Sequence, residues 1–340
     1  MKSLLLSDFK PESELVVKRT EINGPKYPVI DFHVHISPRK SEYSISNVMD
    51  DLNHQGVKAV VNLDGFWGER LDFALEQAKE YNKKVAVFAS VDVTRIDEPD
   101  FKKYLIDTIK NAHQMGAAGL KFFKDVSLKE KDSHGNYIRV DDERLVPIWN
   151  TAAELGLPIL IHIGDPTAFF KPVDGHNERY ESLIERPDWS FYGDEFFTFE
   201  ELMEMQEHLL TCNPDTTFII PHCGSYAENL QYVSQQLDRH PNMYIDIAAR
   251  IRELGRQPYT ARKFIIQYQD RIVFGTDMSP NNTPYPYYYR FLETWDEYFN
   301  YSASKQGSQW KIYGIGLPDE VLEKVYYKNA LKLVPQLSIL

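Results

Sequence analysis

Asp31-Phe32-His33-Val34-His35 follows a short apolar run, Tyr27-Pro28-Val29-Ile30, whose β-branched residues read as a buried strand. Residues two apart on a strand share a face, so His33 and His35 are expected to point their imidazoles the same way at the strand's C-terminal end. Two neutral imidazoles on one face can share a metal ion, with metal–nitrogen distances of about 2 Å. Without a metal, two neighbouring core histidines would each need a polar partner in an apolar interior. Pro38 is expected to end the strand.

Outward from this stretch, β-branched apolar runs alternate with amphipathic ones. The expected strands are Pro28–His35, Val57–Asp64, Val85–Asp92, Ala118–Lys124, Pro158–Gly164, Thr217–Gly224, Met243–Ala248 and Ile272–Asp277. The expected helices are Ser46–Gln55, Glu69–Asn82, Asp100–Met115, Asp142–Leu155, Phe199–Thr211, Ala227–His240, Thr260–Gln269 and Pro318–Leu333. This alternation predicts an α/β protein, a (β/α)8 TIM barrel forming one domain over 28–340, with 1–27 as an N-terminal arm. Thr198-Phe199-Glu200-Glu201 and Ser225-Tyr226-Ala227-Glu228 both fit capping boxes. Three connections are long: 125–141, 165–198 and 278–317. All follow strand ends, so they are expected on the C-terminal face, where barrels carry chemistry. The aromatic residues of 284–313 are expected at the surface, in a homo-oligomer contact or part of a lid.

Composition sets bounds. The 340 residues are 43% hydrophobic, enough for a large core. Net charge is −12 and no basic block stands out, which disfavours a nucleic-acid partner. No stretch approaches the length of a membrane span. Cys212 and Cys223 are the only cysteines, so no disulfide framework is implied. The apolar run within Met1–Leu6 is too short for a signal-peptide core, and a cytoplasmic location is expected, export with a removed leader being the alternative.

Polar residues interrupt the apolar strands near their C-terminal ends: Lys121 in the fourth, His162 in the fifth, His222 in the sixth and Asp277 in the eighth. Each alone has an ordinary structural reading, such as a capped turn for Asp277 or an ion pair for Lys121. Together they supply imidazoles and a carboxylate at one level of one barrel. Imidazole nitrogen with carboxylate oxygen suits zinc, manganese or iron, and Zn2+ is the default. Cys223 beside His222 should face the other way along the strand, as a buried structural thiol.

His33-x-His35, His162, His222 and Asp277, with Val29–His35, Ile272–Asp277 and Tyr326-Tyr327-Lys328-Asn329-Ala330, resemble the amidohydrolase superfamily. Within it they are most similar to the amidohydrolase-related branch that includes aminocarboxymuconate-semialdehyde decarboxylase, resorcylate decarboxylase, lactone hydrolases and hydratases. The resemblance covers roughly 28–334. It implies one metal held by His33, His35, His162 and Asp277, with His222 beside it as a base or polarising group. Asp277 would touch both metal and water and act as the catalytic proton acceptor. The superfamily's two-metal form bridges its ions with a carboxylated lysine on the fourth strand, which would be Lys121, and His222 would then become a ligand. A third reading leaves Lys121 as an ammonium that contacts a substrate anion. Related decarboxylases hold a substrate carboxylate with an arginine after the seventh strand, which makes Arg250 the candidate anchor. A salt bridge from Arg250 to Asp246 or Glu253 is the structural alternative. Arg179 and Lys124 are further candidates for substrate binding, and Asp165 lines the mouth or braces a ligand.

The leading expectation is a metal-dependent hydrolase that uses a metal-activated water on a small carboxylate-bearing lactone or amide. Non-oxidative decarboxylation of an aromatic or unsaturated acid is the alternative. A catalytically silent metal-binding barrel is the third.

Overall fold

The first and eighth strands meet edge to edge, and this junction places the site. In the computed structural model, which describes residues 4–5, 8–9, 11–36, 45–81, 83–279, 285–302 and 310–339, one sheet runs β1-β2-β3-β4-β5-β6-β7-β8, and each strand pairs with the next in parallel. The strands are β1 Val29–Val34, β2 Val57–Phe66, β3 Val85–Ala89, β4 Gly119–Phe122, β5 Ile159–Ile161, β6 Phe218–Ile220, β7 Met243–Asp246 and β8 Ile272–Val273. The backbone N–H of Phe32 donates to the Phe274 carbonyl at 2.9 Å, that of Asp277 to His33 at 2.8 Å and that of His35 to Met278 at 2.8 Å. The chain therefore forms the (β/α)8 barrel that its alternating pattern predicts.

Two apolar layers hold it. Ile30, Phe32, Val61, Phe88, Leu160, Ile219 and Val273 form a buried cluster that fills the barrel. Ala330, Val334 and Leu337 belong to the same cluster and bring the C-terminal segment against it. A larger cluster, including Leu105, Ile148, Trp149, Leu209 and Phe264, packs helices on the outside of the strands. Gly116 (φ 109°) and Gly156 (φ 65°) end the helices Phe101–Met115 and Val146–Leu155 in the left-handed conformation, where a side chain would be strained. Thr198 and Glu201 make the full capping box expected at Phe199–Cys212.

Some expectations fail locally. Ser225 caps no helix: it sits at φ 65° in a turn, and Asn229 caps Leu230–Arg239 instead. The strand expected through Gly224 stops at Ile220, because Pro221 lacks the N–H a strand needs and the next residues turn left-handed. Pro38 lies outside the described residues. Tyr285–Glu293 is a helix, and its Tyr285, Tyr288 and Tyr289 are buried against Phe274 rather than exposed. Their hydroxyls find partners in Asp31, the Ala249 N–H and the Gln55 carbonyl, which makes burial affordable. Residues 11–28 hold no helix or strand, and Thr20 binds Asp296 through both its N–H and its hydroxyl at 2.7 Å. Among the described residues no helix is long and apolar enough to cross a membrane.

The β1–β8 junction is pinned by a fully buried carboxylate. Asp31 accepts from the backbone N–H of His33 at 3.0 Å and of Thr276 at 3.1 Å, and from the hydroxyls of Thr276 at 2.5 Å and Tyr285 at 2.8 Å. Burial pushes its carboxyl up to about 7, against the pull of these donors. Asp31→Ala strands all of them and should lower the unfolding free energy by about 3 kcal/mol in a chemical denaturation experiment. A loss under about 1 kcal/mol, the worth of one ordinary hydrogen bond, would show that the pin is idle.

Candidate metal centre and cavity

Three imidazoles are aimed by their Nδ1 atoms. His33 Nδ1 lies 2.7 Å from Asp246 Oδ2, His35 Nδ1 lies 2.8 Å from Asp64 Oδ1 and His222 Nδ1 lies 2.9 Å from the Ala248 carbonyl. Carboxylate and carbonyl oxygens only accept, so each Nδ1 carries a proton and each Nε2 is the atom turned into the site. Two of those Nε2 atoms face one oxygen: Asp277 Oδ1 lies 3.4 Å from His33 and 3.2 Å from His35. Lone pairs turned towards an anionic oxygen repel unless a cation or a proton stands between them. The donor set therefore fits a metal ion. His33, His222 and Asp277 offer ligand atoms within 4.8 Å of one another, a group that could hold one.

Charge in the site shows the same demand. Burial pulls His35 down, but hydrogen bonds to Asp277 and Asp64 outweigh it and push the imidazole up to about 9. Burial would raise Asp277, yet the surrounding imidazoles of His33, His35 and His222 hold it well below the usual carboxylate range. Burial keeps His222 neutral, well below the ordinary imidazole value. Lys121 is buried on β4, and desolvation lowers its ammonium to about 8, with Asp277, Asp246 and Asp64 opposing.

The backbone is bent to make this geometry. His222 (φ 58°), Cys223 (φ 59°), Ala249 (φ 54°) and Asp277 (φ 61°) are left-handed without being glycine. Such residues cost on the order of 1–3 kcal/mol each and cluster at working sites. His222 and Cys223 thus sit in a turn, not on opposite faces of a strand. Cys223 is nonetheless buried, and burial pushes its thiol up, which fits a structural role.

The remaining sequence candidates lie nearby. The His162 ring is 4.3 Å from that of His222, its Nε2 is buried without a hydrogen bond, and Asp165 Oδ1 lies 3.3 Å away. Burial lowers His162 to about 4. A cavity of about 400 Å3 opens over His162, His222 and Asp277, lined also by Phe123, Phe169, Trp189, Lys124, Asp165, Arg179 and Arg250. Arg250 donates to the Ala249 carbonyl at 3.0 Å and, among the described residues, pairs with neither Asp246 nor Glu253. Glu253 instead holds Arg179, and Asp165 holds Lys124.

Asp246 was not singled out in the sequence as part of the site. It orients the His33 ring, and its other oxygen accepts from the backbone N–H of His222 at 2.7 Å and of Ala248 at 3.0 Å. Asp64, which orients His35, went unremarked too. Each is a carboxylate at the end of an apolar run, the same signal that marked Asp277.

The family model described as Amidohydrolase matches residues 72–336. That match begins after β1, so His33 and His35 stand outside it. No curated protein matches by sequence. Among solved structures, a TIM-barrel protein of Bordetella bronchiseptica is similar at TM-score 0.59 and 15% identity, covering 91% of this chain and 99% of its own. A 2,6-dihydroxybenzoate decarboxylase complexed with 2,6-dihydroxybenzoate gives 0.53 and 14%, covering 91% and 99%. A 4-oxalomesaconate hydratase of Rhodopseudomonas palustris gives 0.51 and 14%, covering 91% and 96%. At these identities the likeness is one of fold.

Asp246→Asn should weaken divalent-metal affinity by about 10–100-fold, because one change loosens two imidazoles. Competition against a chromogenic chelator measures it, and an unchanged affinity would remove Asp246 from the site.

Proposed function

The chain belongs to the amidohydrolase family, and on that premise we propose that it is a metal-dependent hydrolase of a small carboxylate-bearing molecule, a lactone or an amide. The observation that carries this reading is the pair of imidazole Nε2 atoms turned onto Asp277 Oδ1. His33, His35 and Asp277 would hold the ion. His162 would complete the set or, on the distances here, His222 would. A divalent metal in such a site supplies Lewis acidity and acidifies water near neutral pH, and zinc is the proposed ion, with manganese or iron as alternatives.

The chain's own groups then have distinct tasks. Asp277 is one-third exposed to the cavity mouth, so it can take a proton from water and return it to the leaving group. His222, neutral and with Nδ1 committed to Ala248, offers Nε2 as the base or orienting group. Arg250 anchors the substrate carboxylate through its guanidinium fork. Lys121 stays outside a one-metal set as a buried amine; a second metal would recruit it as a bridge. We place the protein in the cytoplasm, where its two free cysteines would stay reduced.

A second reading draws on the cavity wall. Phe169 and Trp189 stack at 5.8 Å, and Phe123 lines the same cavity, surfaces that suit a flat ring. That favours decarboxylation of an aromatic acid. Product analysis separates the two: carbon dioxide release from a carboxylated arene supports decarboxylation, and uptake of labelled water oxygen without it supports hydrolysis.

Elemental analysis should find one metal per chain, and two would assign Lys121 the bridging role. Asp277→Asn should lower turnover by about 10²–10⁴-fold, the usual reach of a proton-transfer group. Undiminished turnover in the metal-loaded variant would exclude Asp277 from the chemistry. Between His162→Ala and His222→Ala, loss of metal identifies the ligand, and loss of turnover with metal retained identifies the base.

A further inference from the structure

The cavity walls carry four basic side chains among the described residues: Lys124, Lys129, Arg179 and Arg250. Three are already matched to a carboxylate. Lys124 pairs with Asp165, Arg179 with Glu253, whose Oε1 also meets Arg252 Nε at 3.4 Å, and Lys129 with Asp125 at 3.1 Å. Asp165 and Glu253 are buried, so these two pairs are fixed features of the wall and not exchangeable surface contacts. Arg250 is buried as well, and among the described residues no carboxylate forms an ion pair with it. Glu228 feels its charge but is engaged with the Thr167 N–H at 3.0 Å.

Away from the metal centre, the wall therefore offers one unmatched positive charge. We infer that the cavity selects substrates with a single anionic group beyond the one presented to the metal, and that the Arg179–Glu253 and Lys124–Asp165 pairs set this limit by facing any further anion with a carboxylate. The physical basis is that a paired cation attracts little at a distance, while a second distal anion must give up water without gaining a partner. Discrimination comes from the repulsive element as much as from Arg250. Glu253 and Asp165 are thus specificity-determining residues. The inference rests on the proposed metal-dependent reading only for the count of anions that reach the metal.

Calorimetry on the metal-loaded protein tests it with three rigid probes. Benzoate has one carboxylate, 5-nitroisophthalate two, and trimesate three; nitro and carboxylate groups are nearly the same size, so the last two differ chiefly in charge. The expected result is that 5-nitroisophthalate binds at least tenfold more tightly than trimesate. Arg250→Met should remove the advantage of 5-nitroisophthalate over benzoate. Glu253→Gln should free Arg179 and tighten trimesate at least fivefold while leaving 5-nitroisophthalate within twofold. Asp165→Asn, which frees Lys124, provides a second route if thermal melting shows that Glu253→Gln does not fold. Trimesate binding as tightly as 5-nitroisophthalate overturns the inference, as does a probe ratio that neither variant moves. If the purified protein takes up no metal, the functional reading fails by itself. The wall then accommodates one carboxylate fewer, and benzoate should outbind isophthalate; the reverse order would sink the inference too.

Discussion

Closure between the first and last strands is the constraint on which this molecule depends. The hydrogen bond from Asp277 N–H to the His33 carbonyl joins residues at opposite ends of the barrel sequence, and it also fixes the distance between an imidazole and a carboxylate that meet above it. Asp31 secures that seam from within, drawing donors from β1, from Thr276 and from the helix that begins at Tyr285. Fold and site are therefore one construction at this point. The same backbone contact that ends the sheet brings together the residues of the candidate metal centre.

Around the seam, the site is assembled from carboxylates that each serve more than one group. Asp246 holds a ring on β1 and a backbone turn after β6, so three elements depend on one side chain. The left-handed residues at His222, Ala249 and Asp277 are local strain that this network has to sustain. Such strain is tolerable beside a rigid barrel wall and would relax on a mobile loop. It also gives each side chain a direction that an extended strand end could not provide.

The barrel and the convergence of His33, His35, His162, His222 and Asp277 were legible in the sequence because β-branched runs alternate with amphipathic ones and because a polar residue in an apolar run stands out. The turn at His222 was not. Ile219-Ile220-Pro221-His222-Cys223 has the composition of a strand, but Pro221 interrupts it and the His222 N–H donates to the distant Asp246, which helps hold the turn. Asp64 and Asp246 carried the same signal as Asp277 but gave no clue to which ring each would orient, since that depends on packing across β-strands. The burial of Tyr285, Tyr288 and Tyr289 was hidden for a similar reason: a tyrosine-rich segment looks like surface until the partners of its hydroxyls are known. Pairing of Arg179 with Glu253, 74 residues apart, likewise follows from the path of a long loop and from no local pattern.

The filled barrel has one more consequence. Phe32, Phe88, Leu160 and Ile219 pack the interior, and the C-terminal segment joins the same cluster. The cavity over the candidate metal centre is walled by Lys124, Arg179 and Trp189. On the proposed reading, a product that keeps its negative charge would pass Arg250 on its way out and compete with the next arrival for the same guanidinium.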